Sequence, residues 1–203
     1  MPILASEPML YPADLFELAE AGLAGGSDAQ TGCVWRVAHT RPRQEKALAR
    51  HLLAAGVSYF LPQHQRRARR RGRSQRSWQP VFPGYVFFLG DESARIDALQ
   101  SNRIASLLFV PNQDEFLDDL RRVHLLVDSQ LPLYQEERLR PGTAVRITGG
   151  PLMGLTGTIE QHKTAYRFVV AVTFIGRGVS AEVEAGDIEP IAEEHPGLVG
   201  ASA

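Results

Sequence analysis

The chain has 203 residues, enough for one medium domain or two small ones that each bury a core. No apolar run approaches the ~20 residues of a membrane-spanning helix, and no basic segment followed by a hydrophobic block opens the chain, so a soluble, cytoplasmic protein is expected. Cys33 is the single cysteine, which argues against a disulfide or a cysteine-based metal cluster, and the net charge of −1 conceals residues 1–31 at −5, residues 32–130 at +7 and residues 131–203 at −3.

Residues 1–31 hold Pro2, Pro8, Pro12 and a Gly/Ser-rich stretch after Ala21. Two turns of helix over 14–21 would be marginal in water by themselves, so the segment reads as an acidic, largely disordered extension. From 33 to 40 Trp35 and Val37 alternate with Arg36 and Ala38 as in a strand, and Cys33 beside it reads as a small core residue. Pro42 suits the first turn of a helix whose apolar face is Ala47, Leu48, His51, Leu52 and Ala55, with Gly56 as its stop. A second strand covers 57–61.

Residues 65–77 hold seven arginines, Arg66, Arg67, Arg69, Arg70, Arg71, Arg73 and Arg76, followed by Trp78. Such a density repels itself within a packed element, so a solvated loop or hairpin tip is expected. Next comes Val81-Phe82-Pro83-Gly84-Tyr85-Val86-Phe87-Phe88-Leu89, uncharged and rich in aromatics, which suits a buried central strand with Pro83-Gly84 near its start. Helices over 92–100 and 114–127 flank a strand over 104–110, the later helix carrying Phe116, Leu117, Leu120, Val123, His124 and Val127 on one side. The order β-α-β-β-α-β-α predicts an α+β domain, an antiparallel sheet flanked by helices, over residues 32–128.

Residues 129–140, with Pro132 and three consecutive charges at 136–138, read as a linker. Over 141–192 the period falls to two: Val145 and Ile147; Leu155, Gly157 and Ile159; Phe168, Val170, Val172 and Phe174; Val179, Ala181 and Val183. Four short alternating runs predict a small closed barrel, followed by a polar tail over 193–203.

No catalytic pattern emerges. The six histidines (His39, His51, His64, His124, His162 and His195) have no metal-ligand spacing, and no phosphate-binding glycine motif occurs. An enzyme, a metal and a cofactor are therefore not expected. The arginine cluster, extended by Arg41 and Arg43, points instead to contact with a nucleic-acid backbone.

Three motifs in order carry a family resemblance. Phe82-Pro83-Gly84-Tyr85-Val86 resembles the central-strand signature of the NusG family of transcription elongation factors. Trp35-Arg36-Val37-Ala38-His39-Thr40 with Glu45-Lys46 resembles its first strand and helix. Gly142 to Pro151, Gly154-Leu155-Thr156-Gly157 and Phe174-Ile175-Gly176-Arg177 are similar to the SH3-like KOW β-barrel that ends such proteins. The resemblance implies a monomeric elongation and antitermination factor. Its His39, Phe82, Pro83 and Tyr85, bordered by Leu107 and Phe109, would grip the clamp helices of the RNA polymerase β′ subunit. The basic residues would lie near DNA or RNA at the transcription bubble. Leu152, Met153, Leu155, Phe174, Ile175 and Arg177 would meet a small-subunit ribosomal protein or the termination factor Rho. A ribosome- or RNA-associated KOW protein is the alternative, separable by polymerase co-purification.

Overall fold

The computed structural model describes residues 8–24, 32–70, 73–136, 142–162 and 165–191, with the side chains of 22–24, 66–70, 73–76, 161–162 and 165 excepted. In chain order the elements are β1 (Leu10–Tyr11), α1 (Leu15–Ala24), β2 (Val34–Thr40), α2 (Glu45–Ala54), β3 (Ser58–Phe60), β4 (Gln63–Arg70), β5 (Arg73–Pro80), β6 (Tyr85–Gly90), α3 (Glu92–Gln100), β7 (Ile104–Phe109), α4 (Gln113–Asp128), β8 (Leu133–Glu136), β9 (Thr143–Ile147), β10 (Thr156–His162), β11 (Ala165–Val172), β12 (Arg177–Val183) and β13 (Ile188–Pro190). The α+β class follows from this order. No described helix is long and apolar enough to cross a membrane.

The first sheet is antiparallel, in the order β1-β3-β6-β2-β7, with β6 near its centre as its aromatic content predicts. Strict alternation sorts its residues. Trp35, Val37, Phe60 and Phe87 face α1 and α4, whereas Ala38, Tyr59, Val86 and Phe88 face α2 and α3. Both faces are thus covered by helices. Helix α4 starts at Asn112, whose side chain accepts from the Glu115 N–H, and carries acids in its first turn. Gly56, in the left-handed region at φ +70°, follows the end of α2. Pro42 does not open that helix: Gln44 is its N-cap and Arg43 has φ +63°.

Residues 8–24 correct the expectation of a disordered extension. Strand β1 pairs with β3, and α1 buries Leu15, Phe16 and Ala19. Phe16 lies against Trp35, Phe60 and His124, with ring centroids 6.3, 5.2 and 5.2 Å away. Arg121 of α4 bonds both the Phe16 carbonyl and, at 2.5 Å, the Glu20 carboxylate. A helix too short to persist alone persists here because α4 and the sheet supply its missing apolar partner. Cys33 is exposed rather than a core residue.

The second sheet runs β13-β9-β10-β11-β12-β8 and is open, with β13 and β8 at its edges. The closed barrel expected from the period-two runs is not formed by the described ladders. Leu133–Glu136, inside the stretch whose composition reads as a linker, takes the outer edge of β12 and pre-empts closure there. Val145, Ile147, Phe168, Val170, Val172, Val179 and Ala181 are buried as their alternation predicts, whereas Ile159 and Val183 of the same runs are half-buried and Phe174 is exposed. The seven buried residues share one apolar cluster with α4 and the first sheet. The Asp119 carboxylate accepts from the Thr173 N–H at 2.8 Å, and the Phe116 and Phe174 rings meet edge-on at 6.0 Å. The second sheet is docked on α4.

Candidate functional site

The chain turns sharply before β6. The Tyr85 N–H donates to the Phe82 carbonyl at 3.1 Å, Pro83 takes the second position and Gly84 the third at φ +86°, the signature of a type II turn. A side chain at Gly84 would have to adopt the left-handed region, where glycine alone is at ease. Two bonds fix this turn to the domain. The Gly84 N–H donates to the buried Glu45 carboxylate at 2.7 Å, and the Thr40 N–H donates to the Gly84 carbonyl at 2.8 Å. Glu45, at the start of α2, was not among the site residues expected from sequence; a carboxylate on the inward side of a first helical turn is the signal that could have found it.

This turn sets the His39 and Tyr85 rings 5.1 Å apart at the same end of the sheet. His39 and Pro83 are exposed and Tyr85 is half-buried. The remaining expected members of the patch lie elsewhere. Phe82 is only 3 % exposed and meets Phe87 edge-on at 5.9 Å, so its ring fills core. The register pairs Leu107 with Ala38 and Phe109 with Arg36, which puts both on the face opposite His39 and Tyr85. Leu107 packs beside α2 and α3, while Phe109 is 71 % exposed on the edge strand. The expected patch therefore divides: His39, Pro83 and Tyr85 share one end of the sheet, Phe82 is core and Phe109 lies on a separate edge. Beside the patch, a cleft of about 230 Å³ separates Val81, Phe82, Pro83 and Tyr85 from Gln135, Glu136, Arg177 and Gly178.

Of the loop and the hairpin expected, the arginine run takes the hairpin form, a two-stranded β-ribbon. Strands β4 and β5 pair antiparallel from Gln63↔Pro80 to Arg70↔Arg73, with Arg67 opposite Arg76. Arg71 and the side chains of Arg66, Arg67, Arg69, Arg70, Arg73 and Arg76 lie outside the described residues. Two bonds hold the ribbon's base: Lys46 Nζ of α2 donates to the Trp78 carbonyl at 2.7 Å, and Gln135 Nε2 of β8 donates to the Pro80 carbonyl at 3.1 Å. Arg41 and Arg43 are exposed in the turn before α2, where the Arg41 N–H bonds the Arg103 carbonyl.

On the second sheet, Leu152 and Leu155 are buried and Met153 is 72 % exposed. Phe174 is partly exposed with its edge on Phe116, Ile175 is half-buried against the core, and Arg177 lines the cleft. A groove of about 490 Å³ joins Pro151, Met153, Gly154 and Leu155 to Leu125, Asp128 and Ser129 at the end of α4.

Burial outweighs the Thr173 and Arg122 hydrogen bonds at Asp119 and holds its carboxyl above the usual range. Burial also lowers His124, against a weaker opposing pull from Asp128 and Glu17. Among the described residues no group of His, Cys, Asp and Glu could hold a metal ion.

Residues 34–115 match the family model described as transcription termination factor nusG. Among solved structures, a chain of one titled "Crystal Structure of MjSpt4:Spt5 complex conformation B" is 13 % identical, with 79 % of this chain and 98 % of that chain covered at a TM-score of 0.26, too low to bear on the fold. No curated protein matches the chain.

Proposed function

We propose, from the match of residues 34–115 to the nusG family model, that this chain is a NusG-family transcription elongation and antitermination factor that binds RNA polymerase. The carrying observation is the exposed His39–Pro83–Tyr85 patch, built by a turn that a buried carboxylate tethers. An apolar, aromatic surface that is held rigid is the kind of feature that anchors a partner helix in a groove. The occupant proposed is the clamp-helix pair of the polymerase β′ subunit. Bridging the cleft from there, the first domain would hold the clamp closed and suppress pausing. Phe82 supports the patch from beneath without touching the partner.

The arginine ribbon, with Arg41 and Arg43, is assigned to the nucleic-acid backbone near the bubble, where dense cationic charge supplies affinity before sequence readout. The second sheet is read as the KOW module. What supports that reading is the burial of Val145, Ile147, Leu155, Phe168, Val170, Val172, Val179 and Ala181 from its alternating runs and the exposed Met153 and Phe174 at its turns. Those turns, with Ile175 and Arg177, are assigned to a small-subunit ribosomal protein or Rho.

Affinity purification of the full-length chain tests the first assignment. The wild type is expected to retain polymerase, and His39→Ala with Tyr85→Ala to lose it while keeping its circular dichroism. Retention by the folded double variant, or recovery of ribosomes without polymerase, overturns the assignment.

A further inference from the structure

We infer that the groove between the end of α4 and the turn over 151–155 is a docking site for a basic protein segment, so that α4 and the second sheet hold one partner together. The inference rests on the assignment of the second sheet's turns to a protein partner and extends that site onto Leu125 and Asp128 of α4. Leu125 is 53 % exposed and Met153 is 72 % exposed, and they line the same groove of about 490 Å³ from its two walls. Large apolar side chains gain by burial, so a pair left bare across one groove marks the seat of a partner's own apolar side chain.

Both walls are fixed. In the turn, Gly150 and Gly154 adopt φ +73° and +88°, the Met153 N–H donates to the Gly150 carbonyl at 3.2 Å and the Gly154 N–H to the Ile147 carbonyl at 2.8 Å. Leu152 before Met153 and Leu155 beyond it are buried, so the turn is anchored on both sides and Met153 is held outward. The other wall is set by the bond from the Thr173 N–H to Asp119 and by the Phe116–Phe174 contact, which join α4 to the second sheet.

Charge identifies the occupant. Asp128 is the charged residue lining the groove, exposed in the last turn of α4, where no basic residue stands. Its carboxylate adds to the negative end of the helix instead of offsetting it, and a cation from outside relieves both. At the base of the turn the Asp187 carboxylate fills the space that a side chain at Gly149 would take. Residues 131–203 carry a net charge of −3. The complement is an apolar side chain next to a Lys or Arg. Of the two partner classes assigned to these turns, the small-subunit ribosomal protein is the occupant, because a protein that lies on RNA carries an excess of such cations.

The experiment titrates the full-length chain against separately purified small-subunit ribosomal proteins, freed of RNA so that the arginine ribbon finds no phosphate backbone, and against Rho. The wild type is expected to bind one of the ribosomal proteins. Leu125→Ser, Asp128→Lys and Met153→Ser are each expected to weaken that complex about tenfold, with Asp128→Asn between wild type and Asp128→Lys. Asp128→Lys places a cation at a helix C-terminus, which strengthens the helix, so its lost binding is not lost fold. If Met153→Ser loses the partner while Leu125→Ser and Asp128→Lys bind as the wild type does, the partner touches the second sheet alone: the inference falls and the assignment of the turns stands. Binding to Rho in place of any ribosomal protein also overturns the inference. If the wild type binds neither, the assignment of the turns falls first and the inference with it.

Discussion

Tyr85 and Phe82 are three residues apart and do different work. The Phe82 ring is sealed against Phe87, so Phe82→Ala is expected to cost ~3–5 kcal/mol of stability, whereas the half-buried Tyr85 is lost mainly from binding. Urea denaturation of the two variants separates the roles; equal destabilisation would show that Tyr85 is core as well. His124 carries a pH dependence. Its folded value is depressed by burial, so the unfolded chain takes up a proton before the folded one does. Its contribution is intact above the ordinary value of about 6.5 and is lost as pH falls through the lowered one. Stability measured between about pH 8 and about pH 5 is expected to fall on the acid side, and His124→Phe to flatten that part of the slope. Asp119 has the opposite sign: its raised value means that its carboxyl destabilises the fold as pH rises through it. Asp119→Asn retains an acceptor for the Thr173 N–H and is expected to be near neutral at about pH 7, whereas Asp119→Ala strands that N–H at a cost of ~1–3 kcal/mol.

Elements gain their stability from neighbours. Helix α1 is held by Leu15, Phe16 and Ala19 against α4 and the sheet, and by the Arg121–Glu20 ion pair at its exposed rim. The apolar contacts dominate, since an ion pair with a solvent-exposed partner contributes ~0–1 kcal/mol. Phe16→Ala is accordingly expected to release α1 and raise hydrogen exchange over 15–21, and Glu20→Gln to leave it protected. The β4–β5 ribbon is governed by charge instead. If about four of its arginines touch phosphates, the log–log salt slope of its nucleic-acid affinity is near −3 to −4. Replacing Arg69, Arg70, Arg71 and Arg73 with serine should collapse that slope; an unchanged slope removes the ribbon from the site.

Across the molecule, α4 joins the two sheets. Phe116, Leu117, Leu120 and Val123 belong to the same cluster as Phe168 and Val170, and Phe174 adds an aromatic edge. The second sheet is committed to β structure by its own composition. In Phe168-Val169-Val170-Ala171-Val172 every residue but one is β-branched or aromatic, each costing up to ~0.7 kcal/mol against alanine in a helix. Strand chemical shifts are expected for 168–172 in the intact chain, and helical shifts there would refute this.

Period and composition alone determined the order β2-α2-β3-β6-α3-β7-α4 apart from the inserted β4–β5 ribbon, the buried aromatic centre of β6 and most of the alternating runs of the second sheet, because those depend on which neighbours a residue has along the chain. Pro83-Gly84 was legible at the start of a strand for the same reason, but as a turn only in the structure. What only the tertiary structure decided is where each side chain finally faces. Phe82 turns into core because Phe87 lies beneath it, and Leu107 and Phe109 part from His39 because the ladder register places them across the sheet. Helix α1 exists because α4 and Trp35 give it a surface, and Leu133–Glu136 becomes a strand because β12 has an edge to fill. In each case the deciding partner lies far away in the chain, beyond the reach of any local pattern.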